Sequence, residues 1–204
     1  MTPSLPTSIS HGRIIAIARN LDPDRAGPLA QALAAGGVNV LEVTMDSPDP
    51  HEAMVAAARI LTVGAGTVLG IDQAESALAA GAVFLVSPHL SLRLMEWGRE
   101  SSVAMIPGAF TPTEIVAAFE AGAAAVKVFP ISLGGEQMIR EIRGPLPHIP
   151  LIPSGGISIE TGPGLLVAGA IAIGVGSWLT GPVDLEMVET RARDLVTACH
   201  TPFL

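Results

Sequence analysis

Cysteine, tyrosine and lysine are the residues that this chain of 204 residues uses least. The single cysteine, Cys199, excludes an intrachain disulfide and is compatible with a reducing compartment. There is no tyrosine, and aromatic residues make up only 3% of the chain, so the core must be built from small aliphatic side chains. With 49% apolar residues, a chain of this length can bury such a core, and one domain is the default expectation.

Basic side chains are also scarce. The chain has eleven lysine and arginine residues and nineteen acidic residues, which gives a formal net charge of −8. This balance excludes the basic surfaces that nucleic acids and anionic membranes require, so an anionic substrate has to be held locally, by an arginine or by backbone amides. No apolar run is long and uninterrupted enough to span a membrane. Residues 1–12 are predicted to be an N-terminal tail rather than a secretory signal, which leaves residues 13–204 as one domain in a cytoplasmic protein.

Lys127 is the only lysine, and it lies inside an apolar run at residues 123–130 that predicts a buried strand. Burial strips the hydration from a primary amine and disfavours its charged form, and the neutral amine is the form that attacks a carbonyl carbon. Lys127 is therefore a candidate Schiff-base nucleophile. The alternative is a lysine at a strand end whose long stem carries the ammonium group out to solvent.

Short apolar runs alternate with longer helical patterns along the whole chain. Eight runs predict strands, most of them apolar on both faces as in a parallel sheet, at residues 14–19, 40–45, 61–67, 84–88, 103–108, 125–130, 151–156 and 170–176. Eight patterns predict helices, at residues 23–35, 51–60, 71–80, 92–100, 112–121, 136–142, 159–168 and 184–199. Asp22, Thr111 and Ser158 are the predicted N-caps, and glycine-containing segments close four helices, at residues 35–38, 80–83, 121–124 and 168–171.

This alternation predicts an α/β fold, a single-domain (β/α)8 TIM barrel, with a doubly wound open sheet as the alternative because local patterns do not show whether a sheet closes. In such a barrel, active-site residues lie at the carboxyl ends of the strands, and Arg19, Glu42 and Lys127 all fall on that rim. Glu42, inside an apolar strand, is a candidate general acid/base beside Lys127. The alternative is a buried carboxylate that pairs with an arginine for a structural reason.

Glycine-rich segments end the seventh and eighth predicted strands, at residues 154–156 and 174–177. Glycines there let backbone amides approach an anion, and the loops after these two strands form the recurrent phosphate site of TIM barrels, although turns need glycine in any case. The five histidines lack metal-ligand spacing, and neither a P-loop nor a GxGxxG segment follows a predicted strand. We therefore predict a phosphate site, no metal and no cofactor.

Eight short motifs occur in order between about Arg13 and Leu179. They are LEVT at 41–44, GAGTV at 64–68, VSPHL at 86–90, PG at 107–108, TPTE at 111–114, VKVFP at 126–130, PSGGI at 153–157 and GVGSWL at 174–179. As a set they resemble the 2-keto-3-deoxy-6-phosphogluconate (KDPG) aldolase family, which also includes 4-hydroxy-2-oxoglutarate aldolases and phosphogalactonate aldolases.

The resemblance implies a class I, metal-independent aldolase on a (β/α)8 barrel, usually a homotrimer, whose partners are a small-molecule keto acid and a phosphorylated aldehyde. It makes Lys127 the Schiff-base lysine and Glu42 its general acid/base. It places Thr67 in contact with pyruvate and makes Pro88 and Phe129 residues that line the pocket. The positions that match phosphate-binding residues are Ser154, Gly155, Gly156, Gly176 and Ser177.

One position departs from the pattern of many members, which carry an arginine for the pyruvate carboxylate where this chain has Asp46. A subgroup that includes the phosphogalactonate aldolases has its arginine at the end of the first strand instead, which makes Arg19 the expected carboxylate clamp. Asp46 is expected either to disfavour a second anionic group or to bind a hydroxyl.

The expected reaction is the cleavage of a 2-keto-3-deoxy-6-phospho sugar acid, of the gluconate or galactonate type, into pyruvate and glyceraldehyde 3-phosphate. Three alternatives remain open. One is a 4-hydroxy-2-oxoglutarate aldolase that releases pyruvate and glyoxylate, another is a phosphate-binding isomerase or synthase without covalent lysine chemistry, and the third is a non-catalytic barrel.

Overall fold

The computed structural model describes residues 3–200, in which nine strands alternate with helices. The strands are β1 (Ile14–Ala18), β2 (Val40–Thr44), β3 (Thr62–Gly66), β4 (Phe84–Val86), β5 (Ala104–Ile106), β6 (Gly108–Ala109), β7 (Val126–Val128), β8 (Leu151–Pro153) and β9 (Ile173–Val175). The α-helices are α1 (Thr7–Gly12), α2 (Pro23–Ala35), α3 (Pro50–Ala57), α4 (Ile71–Ala79), α5 (Leu92–Glu100), α6 (Pro112–Glu120), α7 (Gly135–Arg143), α8 (Gly162–Val167), α9 (Ser177–Thr180) and α10 (Leu185–His200), and Ile131–Leu133 form a 3₁₀ turn.

All strand pairs are parallel, and their order closes the sheet into a (β/α)8 barrel. Six strands pair in the order β5-β4-β3-β2-β1-β9, so the last strand of the chain lies beside the first. The other three pair in the order β6-β7-β8, and a bridge between Ser154 and Gly174 joins that group to β9. This order is that of a barrel, and the doubly wound alternative is wrong.

The fifth predicted strand, residues 103–108, is two strands, β5 and β6, that Pro107 separates. Proline has no N–H to donate to a ladder, and this explains the break. The wall nevertheless continues, because the amide of Ala124 donates to Met105 O at 2.9 Å and the amide of Lys127 donates to Pro107 O at 2.9 Å. The eight predicted strand positions are therefore all occupied.

Side-chain caps explain the starts of several helices. Asp22 accepts from the amide of Asp24, and Thr111 forms a capping box with Glu114, as the two N-cap predictions required. The prediction for Ser158 is wrong: α8 begins only at Gly162, and the Ser158 amide donates instead to the Thr161 hydroxyl at 3.1 Å in the turn before the helix. The four predicted glycine-containing helix ends are confirmed by left-handed glycines, with φ of 88° at Gly37, 95° at Gly81, 93° at Gly122 and 110° at Gly169.

Alternate residues of each strand point into the barrel or outward against the helices, so the core has two layers. The outer layer joins the strands to the helices and contains most of the buried leucines and alanines. The inner layer is smaller, and its buried apolar members are Ile9, Ile15, Ile17, Val40, Phe84, Val86, Ala104, Ile106, Ala125, Ile152 and Ala172. Ile9 belongs to α1, a short helix within the predicted tail that the sequence pattern did not reveal, and it is fully buried.

Among residues 3–200, no helix has the length and the apolar character that crossing a membrane requires.

Candidate active site

Lys127 stands in the middle of β7 and points into the barrel, where most of the surrounding side chains are apolar. The residue is 9% exposed, and its Nζ lies 5.4 Å from the centroid of the Phe129 ring. The ammonium group does not reach out to solvent, so the alternative of a snorkelling lysine does not describe this side chain. The amine is therefore held inside the barrel and not at its outer surface.

Glu42 occupies an inward position of β2 and is 2% exposed. Its Oε1 lies 3.8 Å from Lys127 Nζ, which is an ion-pair contact but too long for a hydrogen bond. The same oxygen accepts no hydrogen bond within the part of the chain that is described. The cationic partner of Glu42 is thus the lysine and not an arginine, and a buried acceptor without a bond is the kind of group that calls for a functional explanation.

Two glycines of β3 have no side chain, and the space that a side chain would fill is occupied by Glu42 and by the ring of Phe84. A Cβ on Gly66 would lie 1.9 Å from Glu42 Oε1, and a Cβ on Gly64 would lie 2.3 Å from the Phe84 ring. Below the lysine, a small cavity of about 10 Å³ is lined by Glu42, Lys127 and Ser154 among others, and it has room for about one water molecule.

Above Lys127, a cavity of about 370 Å³ opens at the carboxyl ends of the strands, as a barrel active site should. It brings together eight of the eleven predicted site residues: Arg19, Lys127, Phe129, Ser154, Gly155, Gly156, Gly176 and Ser177. Ser154, 4% exposed, lines both this cavity and the smaller one below it. The two glycine-rich segments therefore border the same space as the lysine.

Arg19 follows β1 directly and reaches across the end of β2. Its Nη1 donates to Oδ2 of Asp46, and its Nη2 donates to the hydroxyl of Thr67 at 3.4 Å. Asp46 thus binds the arginine itself. Sequence reasoning placed all three residues at the rim but did not reveal that they are partners.

Thr67 has a left-handed backbone, with φ of 58°. For a β-branched residue this conformation is a true outlier, and strain of this kind costs about 1–3 kcal/mol. It is tolerated where the surrounding structure imposes it, and here it accompanies the contact between the threonine hydroxyl and Arg19. The strain therefore adds to the reasons for regarding this part of the rim as functional.

Glu42, Thr67 and Pro88 are the predicted residues that do not line the large cavity. Glu42 lies beneath it, and Thr67 touches Arg19 at its edge. Pro88 is exposed just beyond β4, and its role as a lining residue stays a prediction. The cavity is also lined by residues that sequence reasoning did not select, namely Ile17, Ile157, Ser158 and Trp178. In the sequence, only their position next to the selected strand ends could have indicated that these residues line the cavity.

Within residues 3–200, no group of three or more His, Cys, Asp or Glu side chains is arranged to hold a metal ion. The chemically distinctive groups of the site are Lys127 and Arg19, which line the large cavity, and the buried carboxylate of Glu42 beneath it.

Comparison with known proteins adds independent information. The family model for KDPG and KHG aldolase matches residues 6–199. The chain is 35% identical over 192 residues to the 2-dehydro-3-deoxy-phosphogluconate aldolase of Pseudoalteromonas atlantica, covering 92% of this chain and 88% of that one. It is 33% identical over 189 residues to the probable 2-dehydro-3-deoxy-6-phosphogalactonate aldolase of Rhizobium meliloti, covering 90% and 89%.

A solved structure shares the fold over almost its whole length. It is that of the KDPG aldolase from Legionella pneumophila with pyruvate captured at low pH as a covalent carbinolamine intermediate. The TM-score is 0.80 at 28% identity, with 96% of this chain and 97% of that one covered.

Proposed function

The chain belongs to the KDPG and KHG aldolase family and is a class I aldolase, and we propose that it cleaves a 2-keto-3-deoxy-6-phospho sugar acid into pyruvate and glyceraldehyde 3-phosphate. One observation carries the proposal beyond family membership. The only lysine of the chain is buried and faces a cavity of about 370 Å³, and it lies 3.8 Å from a carboxylate oxygen that has no hydrogen-bond partner among residues 3–200.

Lys127 is the nucleophile of this proposal. Its amine adds to C2 of the keto acid, and loss of water from the carbinolamine gives a cationic imine that accepts the electrons of the C3–C4 bond. Cleavage of that bond leaves the enamine of pyruvate on the lysine and releases the aldehyde. Protonation of the enamine and hydrolysis of the resulting imine free pyruvate and restore the amine.

Glu42 is the group that moves protons in these steps. Its carboxylate takes the proton of the C4 hydroxyl as the C3–C4 bond breaks, directly or through a water molecule, and returns a proton to the enamine carbon. Glu42 Oε1 lies 3.8 Å from Lys127 Nζ, so a substrate bonded to the lysine is held beside the carboxylate. Catalytic hydrogen bonds are often long before substrate binds, so this distance suits a general acid/base.

Arg19 and Thr67 bind the carboxylate of the keto acid in this proposal, because a guanidinium presents paired N–H donors that match a carboxylate. The phosphate is held by the backbone amides and hydroxyls of Ser154, Gly155, Gly156, Gly176 and Ser177. With a net charge of −8, the molecule supplies no general attraction for an anion, so these local donors have to provide the affinity.

The remaining expectations are proposals on the same basis. Phe129 lines the cavity and is proposed to shield the imine from water, and Pro88 is proposed to complete the pocket wall at the same rim. We also propose a cytoplasmic homotrimer that takes part in sugar-acid catabolism of the Entner–Doudoroff type, as the family resemblance implies.

A coupled assay tests the substrate class directly. Pyruvate release is measured with the 6-phosphogluconate-type and 6-phosphogalactonate-type keto acids and with 4-hydroxy-2-oxoglutarate. We expect kcat/KM to be higher for at least one phosphorylated substrate, because the glycine-rich loops provide donors that the shorter substrate does not use. A clear preference for 4-hydroxy-2-oxoglutarate would contradict the phosphate site and support the other activity in the family name.

A further inference from the structure

Asp46, Arg19 and Thr67 follow three neighbouring strands, β2, β1 and β3. Nη1 of Arg19 donates to Asp46, and Nη2 donates to Thr67 at 3.4 Å, so both terminal nitrogens of the guanidinium are held. Among residues 3–200, the hydrogen bonds and ion pairs of Arg19 are with these two side chains. The orientation of the guanidinium thus depends on Asp46.

From this geometry we infer that Asp46 is a positioning residue, which holds the Arg19 guanidinium in the orientation that receives the carboxylate of the keto acid. The inference rests on the proposed function, because it assigns a use to the clamp that Arg19 forms there. It also gives the acidic residue a role in keto-acid binding, where the sequence alone suggested repulsion of an anion or contact with a hydroxyl.

The carboxylate of Asp46 holds Arg19 without occupying the substrate's place. Arg19 lines the cavity of about 370 Å³ beside Lys127, whereas Asp46 is not among the residues that line it. A guanidinium has five N–H donors in a planar fork, and the contacts with Asp46 and Thr67 use two of them. Donors therefore remain for an incoming carboxylate.

Two buried hydrogen bonds support Asp46, one between the last residues of β1 and β2 and one between the segments that follow these strands. The hydroxyl of Thr44 donates to Ala18 O at 3.2 Å, and the amide of Leu21 donates to the hydroxyl of Ser47 at 3.1 Å. Thr44 and Ser47 are 0% and 7% exposed. These bonds lie on either side of the ion pair along the chain, so Asp46 is presented from a fixed backbone, as a support for a binding group should be.

The need for such support follows from the exposure of the arginine. Its side chain is 54% exposed, and an arginine at that exposure samples many rotamers unless something holds it. Ordering it only when substrate binds would lower the affinity, whereas ordering it beforehand removes that loss. The benefit appears in keto-acid binding and not in the bond-breaking step.

The test compares Asp46→Ala with Asp46→Asn, which keeps an oxygen that can accept from Arg19. We expect Asp46→Ala to raise the pyruvate concentration for half-maximal borohydride trapping about tenfold, and Asp46→Asn to raise it only about threefold or less. The kcat of both variants and their KM for glyceraldehyde 3-phosphate in the aldol direction should stay within about twofold of wild type. Asp194→Ala, which removes an exposed carboxylate on α10, controls for the change in net charge and should leave trapping unchanged.

A double-mutant cycle shows whether Asp46 acts through Arg19. In an Arg19→Ala background, Asp46→Ala should have no further effect on trapping. Additive effects, an unchanged or lower pyruvate requirement in Asp46→Ala, or an equal change in the KM for the aldehyde would each overturn the inference. A wild-type protein that pyruvate and borohydride do not modify would contradict the proposed function as well, whereas normal trapping of both wild type and Asp46→Ala would contradict this inference alone.

Discussion

At the scale of single residues, the site consists of side chains that differ in polarity from their neighbours. Lys127 and Glu42 hold inward positions of the barrel where other strands carry residues such as Ile17 or Phe84. A lone lysine and an acidic residue within apolar runs are visible in the sequence, and both could be predicted from it. The pairing of Arg19 with Asp46 could not, because residues 27 positions apart meet only through the order of β1 and β2 in the sheet.

The substitution Glu42→Gln tests the proton-transfer role. We expect kcat for cleavage to fall by about 10²–10⁴-fold, with little change in keto-acid KM, because the amide keeps the shape of the carboxylate but not its basicity. The variant should also slow the exchange of pyruvate methyl protons with deuterated solvent, measured by NMR. Exchange at the wild-type rate would show that another group serves the enamine carbon.

At the scale of elements, the strands and the longer helices were predictable from the sequence pattern, whereas the short helices α1 and α9 were not. The helix α1 spans six residues and depends on the burial of Ile9 against the inner layer, a tertiary contact that leaves no periodic signal. The start of α8 was misplaced at Ser158 because a serine before an apolar run also suits a turn, and here the turn prevails.

Gly66 of β3 offers a test of how one element shapes the site of another. Gly66→Ala would place a methyl group 1.9 Å from Glu42 Oε1, so the carboxylate has to move. We expect kcat to fall at least about tenfold and the free energy of unfolding to fall by about 1–3 kcal/mol, the usual cost of overpacking. Gly27→Ala in α2, where the added methyl group meets nothing within 4 Å, is the matched control. Wild-type kcat in Gly66→Ala would contradict the proposed position of Glu42.

The capping box of α6 predicts a dependence of stability on pH. The pKa of Glu114 lies below its ordinary value of 4.5, chiefly because the Thr111 amide donates to its carboxylate, with further donation from the Phe110 amide and the Thr111 hydroxyl. Because the folded state favours the ionised carboxylate, Glu114 stabilises the fold fully at pH values above its ordinary pKa. This contribution is lost as the pH falls through the lowered pKa of the folded state. Glu114→Gln should therefore lower Tm near neutral pH, and the difference from wild type should shrink in acid. A constant difference across this range would contradict the role of the charge.

At the scale of the whole molecule, closure of the sheet was the step that local patterns left open. Closure depends on pairing β9 with β1, whose residues are far apart in the sequence, and neither strand differs in pattern from one in an open sheet. The alternation of eight predicted strands with eight predicted helices made the closed form the expectation, and the resemblance to an aldolase family implied the same fold. The strand order confirms it and places the predicted active-site residues on one rim.

The single cysteine reports on opening of the molecule. Burial raises the pKa of the Cys199 thiol to about 11, although the charge of Arg13 acts in the opposite direction, and the residue is 7% exposed. Thiolate is therefore scarce in the native state, and we expect a thiol reagent to react near neutral pH only as fast as α10 opens. Reaction should become rapid in denaturant. Immediate stoichiometric labelling of the native protein would contradict the packing of α10.

The most direct test of the proposed chemistry is reduction with borohydride in the presence of pyruvate, followed by intact-mass measurement and peptide mapping. Lys127 is the only lysine, so a stable adduct has one side-chain amine on which to form. We expect the wild-type chain to gain one reduced pyruvyl group on the peptide that contains Lys127, and Lys127→Met to gain none. No mass gain in the wild-type chain, or an equal gain in Lys127→Met, would contradict the assignment of Lys127 as the Schiff-base nucleophile.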